Sequence, residues 1–311
     1  MRLSSFKQDK TIIIVYLVLV GLIVTTSLLS DVFLTSRNIQ NLLRQAVALG
    51  LVSVGQTFAI LTAGIDLSIG SVVSLASCLT TGMILGREHL IIPVVALVIV
   101  LALFVGFCNG FIITRTRVHP LIVTLGMMSV VQGGLLLYTK SPVGSVPPVF
   151  DFLAWGKVWF IPFPIILFAA VAAAGIFLLR RTTYGRYVYA TGGNVEVARL
   201  SGIKTDRVKI ITYMICSSTA ALTGIFLASR MGMGDPLVGE HYMLDSILPV
   251  LIGGTSLTGG KGGIGATIAG VFIFAILSNA LNLIDVSAYW QWIVKGLIII
   301  VAVAFYMQKK N

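Results

Sequence analysis

Three stretches of this sequence carry polar groups at spacings that could do chemistry. The run G-G-T-S-L-T-G-G-K-G-G-I-G, Gly253 to Gly265, has the glycine content of a phosphate loop. Such a loop reads G-x-x-x-x-G-K-[ST], because backbone amides cradle the phosphates, the lysine reaches them and a hydroxyl holds magnesium. A match ending on Lys261 needs glycine at 255 and serine or threonine at 262, and the chain has Thr255 and Gly262. The run is therefore read as a closely packed turn. The histidines His89, His119 and His241 are scattered, with no H-E-x-x-H pair and no metal-ligand spacing. Neither a catalytic constellation nor a metal site is expected.

The second stretch is G-I-D-L-S-I-G, which sets Asp66 between two apolar runs. A carboxylate inside a membrane is expensive unless it is paired or capping. In one reading Asp66 or Ser68 caps the helix that follows, while Gly64 and Gly70 permit a tight turn and close helix contact. In the other, Asp66 meets a solute. Capping is the preferred reading. Gln56, Asn109, Asn279, Asn282 and Gln291, with Asp66 and Ser68, either line a polar path or join helix to helix.

The third is Thr191 to Lys209, a polar island in a very apolar chain. Arg180, Arg181 and Arg186 precede it, and Arg199, Lys204, Arg207 and Lys209 lie within it. It contains a short helix with its own punctuation. Asn194 suits the N-cap, where its side-chain oxygen takes a free amide of the first turn. Glu196 then sits near the positive end of the helix dipole. Gly202 tolerates the left-handed residue that closes a helix. Val195, Ala198 and Leu200 give a partly apolar surface, completed by Arg199 and Ser201. A helix of about two turns is not stable alone, so it needs a partner surface. That surface is either its own bundle or another protein.

The elements that position these groups follow from composition. The chain has 311 residues, 57% hydrophobic and 11% charged, with mean hydropathy +1.00. That is the composition of an integral membrane protein, all-α and polytopic, read as a single domain over 1–311. The net charge of +11 would suggest nucleic acid in a soluble protein. Here the cations separate apolar runs, so they are read as topology signals, and no nucleic-acid partner is expected. Cys78, Cys108 and Cys216 all lie in apolar runs and are read as small core residues. The first run, Thr11 to Leu29, is too long for a usual signal peptide and is read as a retained span.

Runs long enough to cross a bilayer fall near 11–29, 46–63, 68–86, 91–113, 120–138, 163–179, 208–229, 243–257, 264–284 and 289–307. The polar segment 31–45 is expected on the membrane surface. The eighth run is short and contains Pro249, so it is a span, a broken helix or a re-entrant segment. With the N-terminus inside, fifteen lysines and arginines fall in inside loops and six, Arg37, Arg44, Arg87, Lys140, Lys157 and Arg230, in outside loops. This excess predicts about ten transmembrane helices, with both termini and the loop 180–208 in the cytoplasm. Cys108 to Gly126 also aligns without gaps to Ser278 to Gly296, with Asn109 on Asn279. The two hairpins turn on opposite sides in this topology, which is the pattern of the inverted repeat of many transporters.

Four motifs in order now carry a resemblance. They are G-I-D-L-S-I-G-S from Gly64, N-G-F-I-I-T-R-T-R-V-H-P-L-I-V-T-L-G from Asn109, G-G-N-V-E-V-A-R-L-S-G-I from Gly192, and G-G-T-S-L-T-G-G-K-G-G-I-G-A-T from Gly253. From about 46 to 307 the chain resembles the permease subunit of ribose-type, simple-sugar bacterial ABC importers. The resemblance implies that the island, Asn194 to Gly202, is a cytoplasmic coupling helix that docks into a cleft of the ATP-binding subunit. Glu196, Ala198 and Gly202 fall on the spacing of that family's E-A-A-x-x-x-G loop, and Val197 replaces its first alanine. The contact is expected to centre on Ala198, where a small residue lets backbones approach. Also implied are a second permease copy or a sister permease, two ABC ATPase subunits that bind the ATP and magnesium, a periplasmic substrate-binding protein, and a place in the bacterial inner membrane. No cofactor is expected on this chain, which is read as a transport subunit and not an enzyme. A permease for branched-chain amino acids shares the general plan and is the close rival. An intramembrane enzyme would need His, Asp, Ser or Glu clustered on facing spans, and a secondary transporter would need paired intramembrane carboxylates.

Overall fold

A computed structural model describes residues 2–287, 289–294 and 296–297. Helices α1 (Arg2–Leu29), α2 (Ser36–Leu61), α3 (Ile69–Ile84), α4 (Ile91–Thr116) and α5 (Pro120–Tyr138) follow one another through short turns. The short helix α6 (Phe152–Trp155) leads into an antiparallel pair, β1 (Lys157–Val158) and β2 (Ile161–Pro162), with Lys157 opposite Pro162. Then come α7 (Phe163–Arg181), α8 (Thr183–Gly193), α9 (Val195–Leu200), α10 (Thr205–Met231), α11 (Glu240–Asp245), α12 (Ile247–Ile252) and α13 (Ile264–Leu283). Most of the tenth expected span, 289–307, lies outside the described residues, as does Lys295.

Among the described residues six helices are long and apolar enough to cross a membrane: α2, α4 with the turn before it, α5, α7, α10 and α13. Among them the most apolar, α4, is one of the least buried, and the least apolar, α2, is the most buried. A soluble protein has the opposite order. The outward stripe of α4 is Val100, Phe104, Phe107 and Phe111, spaced at one helical face and exposed. The molecule is a multi-pass membrane protein whose apolar excess faces lipid.

The centre is α10, packed between α2, α3 and α4. On α4, Gly106 and Gly110 form a G-x-x-x-G face laid on the α10 backbone. A Cβ at Gly106 would come within 2.7 Å of the Met214 Cα, and one at Gly110 within 2.5 Å of the Ile210 Cα. At both positions the atoms met first are backbone, which cannot rotate away. Gly110→Leu is therefore expected to destabilise the bundle by about 1–3 kcal/mol or more. It should lower the Tm of the purified protein clearly, while Gly126→Leu, where nothing stands within 4 Å, should not. Equal Tm values for the two variants would refute this packing.

One expectation changes here, and one left open takes a definite form. The polar stretch 31–45 is not a separate surface segment. Thr35 caps α2 through its Oγ1, and 36–45 forms that helix's first turns. The reason is Asn38, whose amide exchanges two hydrogen bonds with Asn279 on α13, at 3.0 and 2.8 Å. That pair turns Asn38 inward. The eighth run is broken into two six-residue helices, α11 and α12. Pro249 stands in the first turn of α12, where its missing amide loses no helical hydrogen bond.

Candidate functional site

The island is larger than its sequence suggested. Thr182 ends α7 and opens α8, its Oγ1 accepting the Gly185 amide at 3.2 Å. This eleven-residue helix is hidden in the sequence by its arginine, tyrosines and glycines; the threonine cap was the available signal. Asn194 closes α8 and caps α9. Its Oδ1 accepts the amides of Glu196 and Val197, both at 3.0 Å. At the other end Gly202 has φ +83°. Its amide donates to the Arg199 carbonyl at 2.9 Å, and the Ile203 amide donates to the Ala198 carbonyl at 3.1 Å. These two bonds are the Schellman closure, which satisfies the last carbonyls of a helix. Arg199 and Asp206 form an ion pair at 3.6 Å, but both are well exposed, so it adds little.

The orientation of α9 bears on the contact expected at Ala198. That residue is only 3% exposed and faces its own bundle, whereas Val197 is 58% and Leu200 80% exposed. The side chains that α9 presents outward include Val197 and Leu200 and do not include Ala198.

Beneath the island three backbones meet. Gly192, at the end of α8, lies so close to the end of α2 that a Cβ there would overlap the Leu61 carbonyl oxygen. The same carbonyl accepts the Gly260 amide at 3.0 Å. Tyr189 Oη donates to the Gly262 carbonyl at 2.9 Å. The glycine-rich run thus brings bare backbone against α2 and α8, as a closely packed turn should.

Five residues beyond Leu61 is Asp66, fully buried. Its Oδ1 accepts the Ser68 amide at 2.9 Å and the Ser68 hydroxyl at 2.6 Å. Ser68 Oγ in turn accepts from Asn109 Nδ2 at 2.9 Å, which ties the entrance of α3 to α4. Ser68 itself makes no side-chain cap. Cys216 of α10 stands 3.6 Å from Gln56 Oε1 and also contacts the Asp66 carboxyl. Gln56, Asp66, Ser68 and Asn109 are therefore one buried cluster joining α2, α3, α4 and α10. The other three residues of the expected path lie apart. Asn279 pairs with Asn38, and Asn282 Oδ1 accepts from Gln291 Nε2 at 2.8 Å. Tyr213, almost fully buried beside Gly64, belongs near the cluster and was not anticipated, because one tyrosine in an apolar run carries no spacing signal.

The family described as "Branched-chain amino acid transport system / permease component" matches residues 38–303. The ribose import permease protein RbsC of Bacillus subtilis (strain 168) is 41% identical over 287 residues, covering 91% of this chain and 88% of that protein. RbsC of Escherichia coli (strain K12) is 39% identical over 305 residues, covering 96% and 94%. The xylose transport system permease protein XylH of Haemophilus influenzae is 30% identical over 364 residues, covering 96% and 97%. No solved structure matches the chain. A family match across most of the sequence, with relatives aligned nearly end to end on a bundle of membrane-length helices, places the chain in this family of transport-system permease components.

Proposed function

We propose that this chain is the permease subunit of an ATP-driven ABC importer that moves a simple sugar into the cytoplasm. The observation that carries the mechanism is the seating of the island. A helix closed at both ends presents Val197 and Leu200 outward, while α8 behind it rests on the end of α2. A push on α9 therefore reaches Leu61 and, a few residues on, the turn that holds Asp66. In this reading ATP and magnesium bind to two separate ABC ATPase subunits, whose closure moves α9. A periplasmic binding protein delivers the sugar, and a second permease copy completes the path. The relatives named for ribose and xylose favour sugars over the amino acids of the family's description. The test is uptake by proteoliposomes holding the whole complex. D-[14C]ribose should accumulate only with internal ATP and external loaded binding protein. Uptake of [14C]leucine in its place, or uptake without ATP, would overturn the reading.

The proposed topology has ten spans, an inverted repeat of the hairpins at Asn109 and Asn279, and both termini and the island in the cytoplasm. It is tested with single cysteines in a background lacking Cys78, Cys108 and Cys216. Thr191 is fully buried, so the inner reporter belongs at the exposed Glu196 and the outer one at Ser145. Membrane-impermeant maleimide added to intact cells should label Ser145→Cys and leave Glu196→Cys unmodified. The reverse pattern would invert the topology.

A further inference from the structure

At the end of the bundle opposite the island is a cavity of about 530 Å³. Its walls come from the beginning of α2 and the ends of α10 and α13, with α11 and α6 closing the sides. The 27 residues of α10 separate it from α9 by about 40 Å of helix. A neighbouring cavity of about 440 Å³ shares His241 and Asp245 with it, so α11 stands between the two.

The lining is unlike the lipid-facing surface. Gln45, Asn282 and Gln291 contribute three amides, Arg230 and His241 add donors, and Trp155 adds a flat indole. An amide offers donors and an acceptor together, which matches hydroxyl groups that do the same. Gln291 Nε2 donates to Asn282 Oδ1 at 2.8 Å and to the Val286 carbonyl at 3.0 Å, so these bonds leave the Gln291 carbonyl oxygen and the Asn282 N–H groups unused. The guanidinium of Arg44 lies 4.2 Å from the centre of the Trp155 ring and fixes the indole. The volume lies within the usual range for sites of small ligands, roughly 300–1,000 Å³.

We infer that this cavity is an outer vestibule that receives a monosaccharide, with the Asn282–Gln291 pair and Gln45 bonding its hydroxyls and Trp155 covering a C–H face. The inference rests on the proposed importer function and gives that function a place in the fold. Of the seven path residues expected from sequence, it assigns Asn282 and Gln291 to solute contact. The buried cluster around Asp66 then serves to join helices.

The experiment places one cysteine on each of two walls, Ser278→Cys on α13 and Met231→Cys on α10, in the background lacking Cys78, Cys108 and Cys216. The complete importer is expressed in cells, and D-[14C]ribose uptake is measured before and after a membrane-impermeant methanethiosulfonate. Both variants should be modified from outside, and both should lose uptake by about tenfold or more, the change expected from a lost interaction of ordinary strength. The cysteine-free parent should be unaffected. Full modification with unchanged uptake, or no modification of either cysteine, overturns the vestibule while leaving the importer reading intact. A parent that takes up [14C]leucine and no ribose overturns both. A second arm needs no cysteine: Trp155→Ala and Gln291→Ala should each lower ribose uptake at matched membrane levels, and normal rates in both also overturn the assignment.

Discussion

Asp66→Leu is expected to remove most folded permease from the membrane, and Asp66→Asn is expected to leave it in place. Asp66 Oδ1 accepts two hydrogen bonds, from the amide and the hydroxyl of Ser68, and neither atom reaches solvent. Leucine has nearly the right size and no acceptor. It would leave both donors orphaned, each at about 1–3 kcal/mol. The loss spreads, because Ser68 Oγ is also the acceptor that holds Asn109 of α4. Asparagine keeps an oxygen in the same place, and the two residues are about equal in local capping. The measurement is the amount of monodisperse, membrane-extracted permease for each variant, followed by ribose uptake at matched levels. Equal recovery of Asp66→Leu and wild type would falsify the view that this carboxylate organises the entrance of α3. Normal recovery of Asp66→Asn without uptake would transfer Asp66 from structure to the solute path.

What sequence reveals here follows from what membranes demand. A helix must satisfy its own backbone in lipid, so long apolar runs become helices with little ambiguity. The ranges of α3, α5, α7 and α13 differ from the expected spans by only a residue or two at most ends. Caps are equally local: Asn194 and Gly202 close α9 as their chemistry predicts. Partnerships are not local. Nothing in the sequence says that Asn38 meets Asn279, and without that meeting the stretch 31–45 reads as a surface segment. The four residues Gln56, Asp66, Ser68 and Asn109 were legible as polar groups in apolar runs, but their joining depends on α10 lying between α2 and α4. The inward turn of Ala198 was hidden for a different reason. A six-residue helix has too few positions to define a face by periodicity, and α8, which sets its angle, was itself obscured.

That inward turn determines the second large effect, at Val197 and Leu200. Both side chains project from α9 and are mostly exposed, so changing them should hardly affect the fold, with surface substitutions usually within about 0.5 kcal/mol. At an ATPase cleft the same side chains would be buried. Burial of a valine or leucine contributes about 1.5–3 kcal/mol, which is roughly ten- to a hundredfold in affinity for each. Aspartate removes that gain and adds a charge to be desolvated. Val197→Asp and Leu200→Asp should therefore each give permease of normal amount and Tm that no longer retains the ATPase subunit on purification, and uptake should fall with it. Ala198→Trp is the contrasting case. Its site is closed by the bundle, so the indole should lower Tm and membrane levels first. Gly202→Val should be intermediate. No atom lies within 4 Å of its Cβ position, but φ +83° strains a β-branched residue by on the order of 1 kcal/mol or more. The measurement is ATPase recovered per permease in detergent, beside ribose uptake in cells. Full ATPase recovery and normal uptake with both aspartate variants would leave α9 as a loop helix resting on its own bundle. Loss of both, with the fold intact, would make those two side chains the point where the partner's motion enters and passes through α8 to the end of α2.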